Sequence, residues 1–128
     1  MAKLDLVVLG AGGFGRELHS MLGDCFSPDD YQFKGFLAEA ANDLVEQIGP
    51  VLGSPEEYQP TESDRFLLAI GNMNARERTT NAILERGGKF VSFVHPKACV
   101  ASTATIGQGV VIYPFAVVSN NARLADQI

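Results

Sequence analysis

The chain has 128 residues, 46% of them apolar and 20% charged, with a formal net charge of −5 at pH 7. That length accommodates one full domain and part of a second. No apolar run approaches the roughly 20 residues that cross a bilayer, so no membrane insertion is expected. The acidic balance opposes a nucleic-acid partner, which would draw on clustered Lys and Arg.

Leu4-Asp5-Leu6-Val7-Val8-Leu9 reads as a short buried parallel strand closed by glycine, too short for a secretory signal core. Phe14, Leu18, Met21 and Leu22 then lie on one helical face, and Gly23-Asp24 is the predicted stop. Phe33 to Leu37 offers a second strand. Leu44, Val45 and Ile48 predict a short helical stretch that Gly49-Pro50 ends. Ser54-Pro55-Glu56-Glu57 carries a capping-box pattern and predicts a brief helix. Phe66 to Ile70 is another apolar strand ending in Gly71. Asn74 to Arg86 reads as a helix, with Asn74 as cap, Glu77 at the third position and Gly87-Gly88 as stop. Lys89 to Val94 completes the series as a last strand. Strands alternating with helices across short glycine turns predict an α/β fold over residues 1–94, a parallel sheet with helices on both faces.

From His95 the pattern changes, and residues 95–128 form a second predicted unit. Val100, Ile106, Ile112, Val118 and Leu124 recur every six residues, with small residues at Ala104, Ala116 and Ala122. Period six with small inward residues predicts the opening of a hexapeptide-repeat parallel β-helix. An ordinary β-meander is the alternative, but Gly107, Gly109 and Pro114 would sit badly in one. The chain holds fewer repeats than such a solenoid normally needs, so a truncated form that frays after about Val118 is expected.

Gly10-Ala11-Gly12-Gly13-Phe14-Gly15 matches G-x-G-x-x-G after a strand and at the opening of a helix, the context this motif requires. The first glycine permits the tight turn, the second brings backbone close to a phosphate and the third lets helix pack on strand. Free N–H groups at the helix N-terminus favour an anion there. Arg16 and Glu17 follow in the first turn, where a solvated helix face is the plainer role. A dinucleotide site needs an acidic residue about 20 residues on and a second mononucleotide half. Glu39 fits the first requirement, but the α/β portion ends too soon for the second, so one nucleotide bearing a sugar suits the length better than NAD. Gly71 and Asn72 end a strand and face the same crevice; Arg76, in the following helix, can reach a phosphate or face water. His19 and His95 are the only histidines, and neither has a partner placed by sequence for nucleophilic catalysis. His95, before Pro96, reads as a junction residue bonded to backbone. Cys25 and Cys99 form neither a Cys-x-x-Cys pair nor a cluster with histidine, so reduced thiols, no metal site and a cytoplasmic setting are expected.

The order of Gly10 to Glu17, Ala69-Ile70-Gly71-Asn72 with Arg76, and Val94-His95-Pro96 before hexapeptide repeats resembles one family. It is similar to the N-terminal portion of bacterial sugar O- and N-acyltransferases of the sialic acid O-acetyltransferase and UDP-bacillosamine N-acetyltransferase type. The resemblance implies a Rossmann-like domain that binds a nucleotide-activated sugar, a UDP-sugar being favoured. It also implies a left-handed β-helix that binds acetyl-CoA and forms a homotrimer. The family's catalytic histidine lies in a later coil, beyond Ile128, so the resemblance transfers no catalytic residue and the chain is expected to bind without catalysing. Gly10, Gly12, Gly13, Phe14, Gly15, Glu39, Gly71, Asn72 and Arg76 are the candidate binding residues. Many relatives carry paired aspartates after the second strand; here Ala38-Glu39 stands there, and only Glu39 can supply a polar contact. Two other readings stay open: a nucleotide- or dinucleotide-sensing module without transferase activity, and a purely structural oligomerisation piece.

Overall fold

A computed structural model describes residues 2–128. Strand β1 (Leu4–Leu9) lies inside a four-stranded parallel sheet, between β2 (Tyr31–Leu37) and β4 (Asp64–Leu68). A short strand β3 (Val51–Gly53), which the sequence pattern does not reveal, borders β2 and gives the order β3-β2-β1-β4. Successive β1 residues point to opposite faces, and both faces are covered, which explains a nearly continuous apolar run. Leu6 and Val8 enter one cluster with Leu18, Phe36, Val45, Leu67 and Phe93. Val7 and Leu9 enter the other with Leu37, Phe66, Leu68, Ile83 and Phe90.

The helices differ from expectation in several places. Helix α1 (Gly13–Ser20) stops before Met21, whose N–H turns tightly onto the Leu18 carbonyl (3.0 Å), and a second short helix α2 (Leu22–Cys25) follows. Gly23-Asp24 therefore lies inside helix rather than ending one, because Gly23 does not take the left-handed conformation of a helix stop. Helix α3 (Asp43–Glu46) is capped by Asn42, whose Oδ1 accepts the Val45 N–H. The predicted helix at Ser54–Glu57 is a single turn, in which the Ser54 carbonyl accepts the Tyr58 N–H. It does not propagate because a lone turn gains too few bonds to offset its nucleation, while the Tyr58 hydroxyl is drawn away to Asp64 (2.7 Å). Helix α4 (Met73–Glu85) is capped by Asn72 and not Asn74: the Asn72 Oδ1 accepts the Ala75 N–H at 2.9 Å.

Strand β4 begins at Asp64, two residues before the apolar run, because Asp64 is anchored by hydrogen bonds from Thr61, Tyr58 and Lys34. The predicted strand Lys89–Val94 is divided. Phe90 makes an isolated bridge with Phe66, whereas β5 (Phe93–Val94) leaves the sheet and pairs with β8 (Val111–Ile112). Ser92 makes the change of direction: its Oγ donates to the Gly107 carbonyl and accepts the Val110 N–H, both at 3.1 Å.

Strands β5, β6 (Cys99–Val100), β7 (Thr105–Ile106), β8, β9 (Val117–Val118) and β10 (Arg123–Leu124) form three two-stranded parallel ladders. Each joins residues 18 apart, Phe93 with Val111, Cys99 with Val117 and Thr105 with Arg123, which is three six-residue units per turn. Val100, Ile106, Ile112, Val118 and Leu124 all pack in one interior cluster. The row two residues earlier, Ala98, Ala104, Val110, Ala116 and Ala122, fills the space between them. Outside this cluster Phe115 and Val117 are 79% and 71% exposed.

Candidate functional site

The carboxyl ends of β1, β2 and β4 lie side by side. There the Gly10 N–H donates to the Leu37 carbonyl and the Ala69 N–H to the Leu9 carbonyl, each at 2.9 Å. The motif glycines divide into two kinds. Gly10 has φ of +111°, and a Cβ there would lie 2.4 Å from the Ala69 carbonyl oxygen. A Cβ on Gly15 would lie 2.0 Å from the Gly10 carbonyl oxygen, so this glycine lets α1 sit directly on β1. Gly12 and Gly13 are exposed, and a Cβ on either would meet nothing within 4 Å. Gly10 and Gly15 shape the loop, and Gly12 and Gly13 present it.

Gly12 caps α1 without a side chain, so the first-turn N–H groups keep no partner within the helix. Gly71 is also exposed with open space at its Cβ position. Asn72 spends Oδ1 on its helix cap and keeps its amide nitrogen for another acceptor. Glu39 is exposed immediately beyond β2. Two candidates are engaged by the protein itself. Phe14 packs edge-on against Tyr113 with ring centroids 5.8 Å apart. Arg76 donates to the Ile70 carbonyl (2.9 Å) and to the Gln127 carbonyl, tying the start of α4 to the end of the coiled segment.

The structure adds residues that the pattern reading passed over. Asn42 Nδ2 donates to the Ala11 carbonyl at 3.2 Å, bringing the loop after β2 onto the glycine loop. Arg16, read as a solvated residue, donates from Nη1 to the same carbonyl at 3.2 Å. An asparagine ahead of Asp43-Leu44-Val45 is a helix-cap signal, so half of Asn42's role was legible; its second bond spans 31 residues. Tyr113 stands beside the site, and burial together with the nearby Glu17 carboxylate pushes its phenol up to about 12.

The histidines lie elsewhere. His19 packs edge-on against Phe33 (4.4 Å), and burial lowers its pKa below the ordinary value. His95 is buried; its Nδ1 accepts the Lys97 N–H (3.1 Å) and its Nε2 donates to Asp24 Oδ2 (2.9 Å). It borders a cavity of about 380 Å³ with Met21, Lys97 and Phe115, but both its ring nitrogens are already in use.

A parallel sheet with an exposed glycine loop at the carboxyl ends of its strands defines the class: an α/β domain whose strand ends carry an open glycine turn. Within that class the chain belongs to the PglD N-terminal domain family, which matches residues 5–83. It is 34% identical over 113 residues to the UDP-N-acetylbacillosamine N-acetyltransferase of Bacillus subtilis (strain 168), covering 84% of this chain and 50% of that protein. It is 27% identical over 120 residues to the GDP-perosamine N-acetyltransferase of Escherichia coli O157:H7, covering 91% of this chain and 54% of that one. Among solved structures, the acetyltransferase domain of PglB from Neisseria gonorrhoeae FA1090 in complex with acetyl coenzyme A superposes with a TM-score of 0.81. The identity is 29%, over 98% of this chain and 60% of that one. PerB from Caulobacter crescentus, in complex with CoA and GDP-perosamine, shares the fold with a TM-score of 0.77 at 21% identity, over 98% of this chain and 58% of that one. The chain thus spans about half the length of the curated relatives it matches. Among the described residues no helix is long and apolar enough to cross a membrane.

Proposed function

We propose that this chain is the nucleotide-sugar-binding portion of an acetyl-CoA-dependent sugar acetyltransferase of bacterial surface-glycan biosynthesis, acting in the cytoplasm. The observation that carries this reading is the exposed pair Gly12 and Gly13 at the start of α1, where a Cβ would meet nothing within 4 Å. Their N–H groups and the helix dipole suit a diphosphate. In this reading Gly71 and the amide nitrogen of Asn72 border the diphosphate, and Glu39 accepts a hydrogen bond from a ribose hydroxyl or a base. Gly10 and Gly15 give the loop its shape, Phe14 braces it against the coiled segment, and Arg76 anchors α4.

In this reading residues 1–94 hold the nucleotide, and residues 95–128 begin a left-handed hexapeptide β-helix. The ladders at 18-residue spacing support that assignment. Acetyl-CoA and the base that accepts the proton from the sugar amine or hydroxyl belong to later coils of a homotrimer, so the role derived for this chain is binding and orientation. The names of the relatives support a UDP- or GDP-linked sugar.

A thermal-shift titration against UDP-, GDP-, dTDP- and CMP-sugars, NAD and acetyl-CoA tests the proposal. A ligand at about 100 times its dissociation constant adds about 2.7 kcal/mol of stability. Stabilisation by one sugar nucleotide is the expected result. Stabilisation by NAD alone, or none across the panel, overturns it.

A further inference from the structure

The Ala11 carbonyl accepts two side-chain donors from different elements, Arg16 Nη1 on α1 and Asn42 Nδ2 before α3, each at 3.2 Å. The orientation of the Asn42 amide is set by chemistry: the atom facing the Val45 N–H (2.8 Å) has to be the oxygen, so the atom facing Ala11 is the NH₂. In a planar trans peptide the carbonyl and the following N–H point in opposite directions. Pinning the Ala11 oxygen toward Asn42 and Arg16 therefore turns the Gly12 N–H away from them.

Gly12 is conformationally permissive, so an Ala11–Gly12 peptide unit held only by the long, rotamer-rich Arg16 side chain can rotate and present its oxygen where a phosphate would sit. A carbonyl oxygen there repels an anion that an N–H attracts. We propose that Asn42 is a positioning residue for the diphosphate subsite, holding the Ala11–Gly12 peptide so that the Gly12 N–H donates to the ligand. This rests on the nucleotide-sugar reading above and adds a residue to it that touches no ligand.

Asn42→Ser separates Asn42's two bonds. Serine is a good helix cap, so the Val45 N–H keeps its acceptor, while the shorter side chain cannot reach Ala11. The experiment measures binding of UDP, uridine, GDP and guanosine by calorimetry to the wild-type chain and to Asn42→Ser, with melting temperatures alongside. The expected result is a loss of about tenfold for the nucleoside diphosphate that the wild type binds, a change of about 1.4 kcal/mol. Affinity for the matching nucleoside and the melting temperature stay near wild type. Diphosphate binding unchanged by Asn42→Ser overturns the positioning role and leaves the nucleotide reading standing. An equal loss for nucleoside and diphosphate also overturns it, because the residue would then be shaping the whole crevice. A wild-type chain that binds none of the four overturns the nucleotide reading, and this inference falls with it.

Discussion

His95 Nε2 lies 2.9 Å from Asp24 Oδ2, joining the coiled segment to α2 across 71 residues of sequence. Because His95 Nδ1 already accepts the Lys97 N–H, Nε2 carries the proton and donates it, so the bond needs only an acceptor at position 24. Asp24→Ala removes the acceptor from a buried ring N–H and is expected to cost about 1 kcal/mol. Asp24→Asn keeps an acceptor oxygen and should cost less than half of that. Urea unfolding of both variants checks the order, and equal losses would mean that the carboxylate charge matters.

The division of the motif glycines predicts opposite phenotypes. Gly15→Ala drives a Cβ onto the Gly10 carbonyl oxygen, where only backbone can yield, and is expected to destabilise by roughly 2–4 kcal/mol. Gly13→Val places its side chain in open space, so the melting temperature stays close to wild type while nucleotide binding is lost. Normal nucleotide binding by Gly13→Val would refute the loop assignment.

Asp64 links stability to pH at the acid end. Burial alone would raise its carboxyl, but the Thr61 N–H, the Tyr58 hydroxyl and Lys34 together hold it below the ordinary carboxylate value. Its contribution to stability is therefore complete above the unfolded value of about 4 and is lost as pH falls through the lower folded value. Asp64→Asn, which leaves Lys34 without its counter-ion, should cost about 2 kcal/mol at neutral pH. It should also flatten the decline below about pH 4. Denaturant midpoints between neutral pH and strong acid measure both effects.

His19 acts in a higher pH window. With its folded pKa depressed by burial beside Phe33, the unfolded chain takes up a proton first as pH falls. Stability should therefore be level above about pH 6.5 and decrease below it until the folded histidine also protonates. His19→Gln should remove that step, and a persistent step of the same size would assign it to another group.

Where local periodicity carries the information, the sequence reading and the structure coincide. Leu6 to Leu9 alternate between two cores, and all five residues at six-residue spacing from Val100 to Leu124 turn inward. The glycine motif, too, identified the turn and close-packing roles of Gly10 and Gly15. Caps and stops were less reliable, since Asn72 and Asn74 are chemically equivalent candidates two residues apart. The choice follows from where the chain leaves β4.

The sequence by itself determined the parallel α/β class, the inward row at six-residue spacing from Val100 to Leu124 and the glycine turn that follows β1. Those properties follow from steric preferences and periods of two, six and about 3.6 residues acting within a few positions. Tertiary structure alone decided that Phe93–Val94 leaves the sheet for the coiled segment and that Lys34 and Tyr58 converge on Asp64. It likewise decided that Asp24 holds His95 and that Asn42 reaches Ala11. Each of these bonds joins groups distant in the chain, and a hydrogen bond is directional and short-ranged. Only the packed sheet and helices bring such donors and acceptors within about 3 Å of one another.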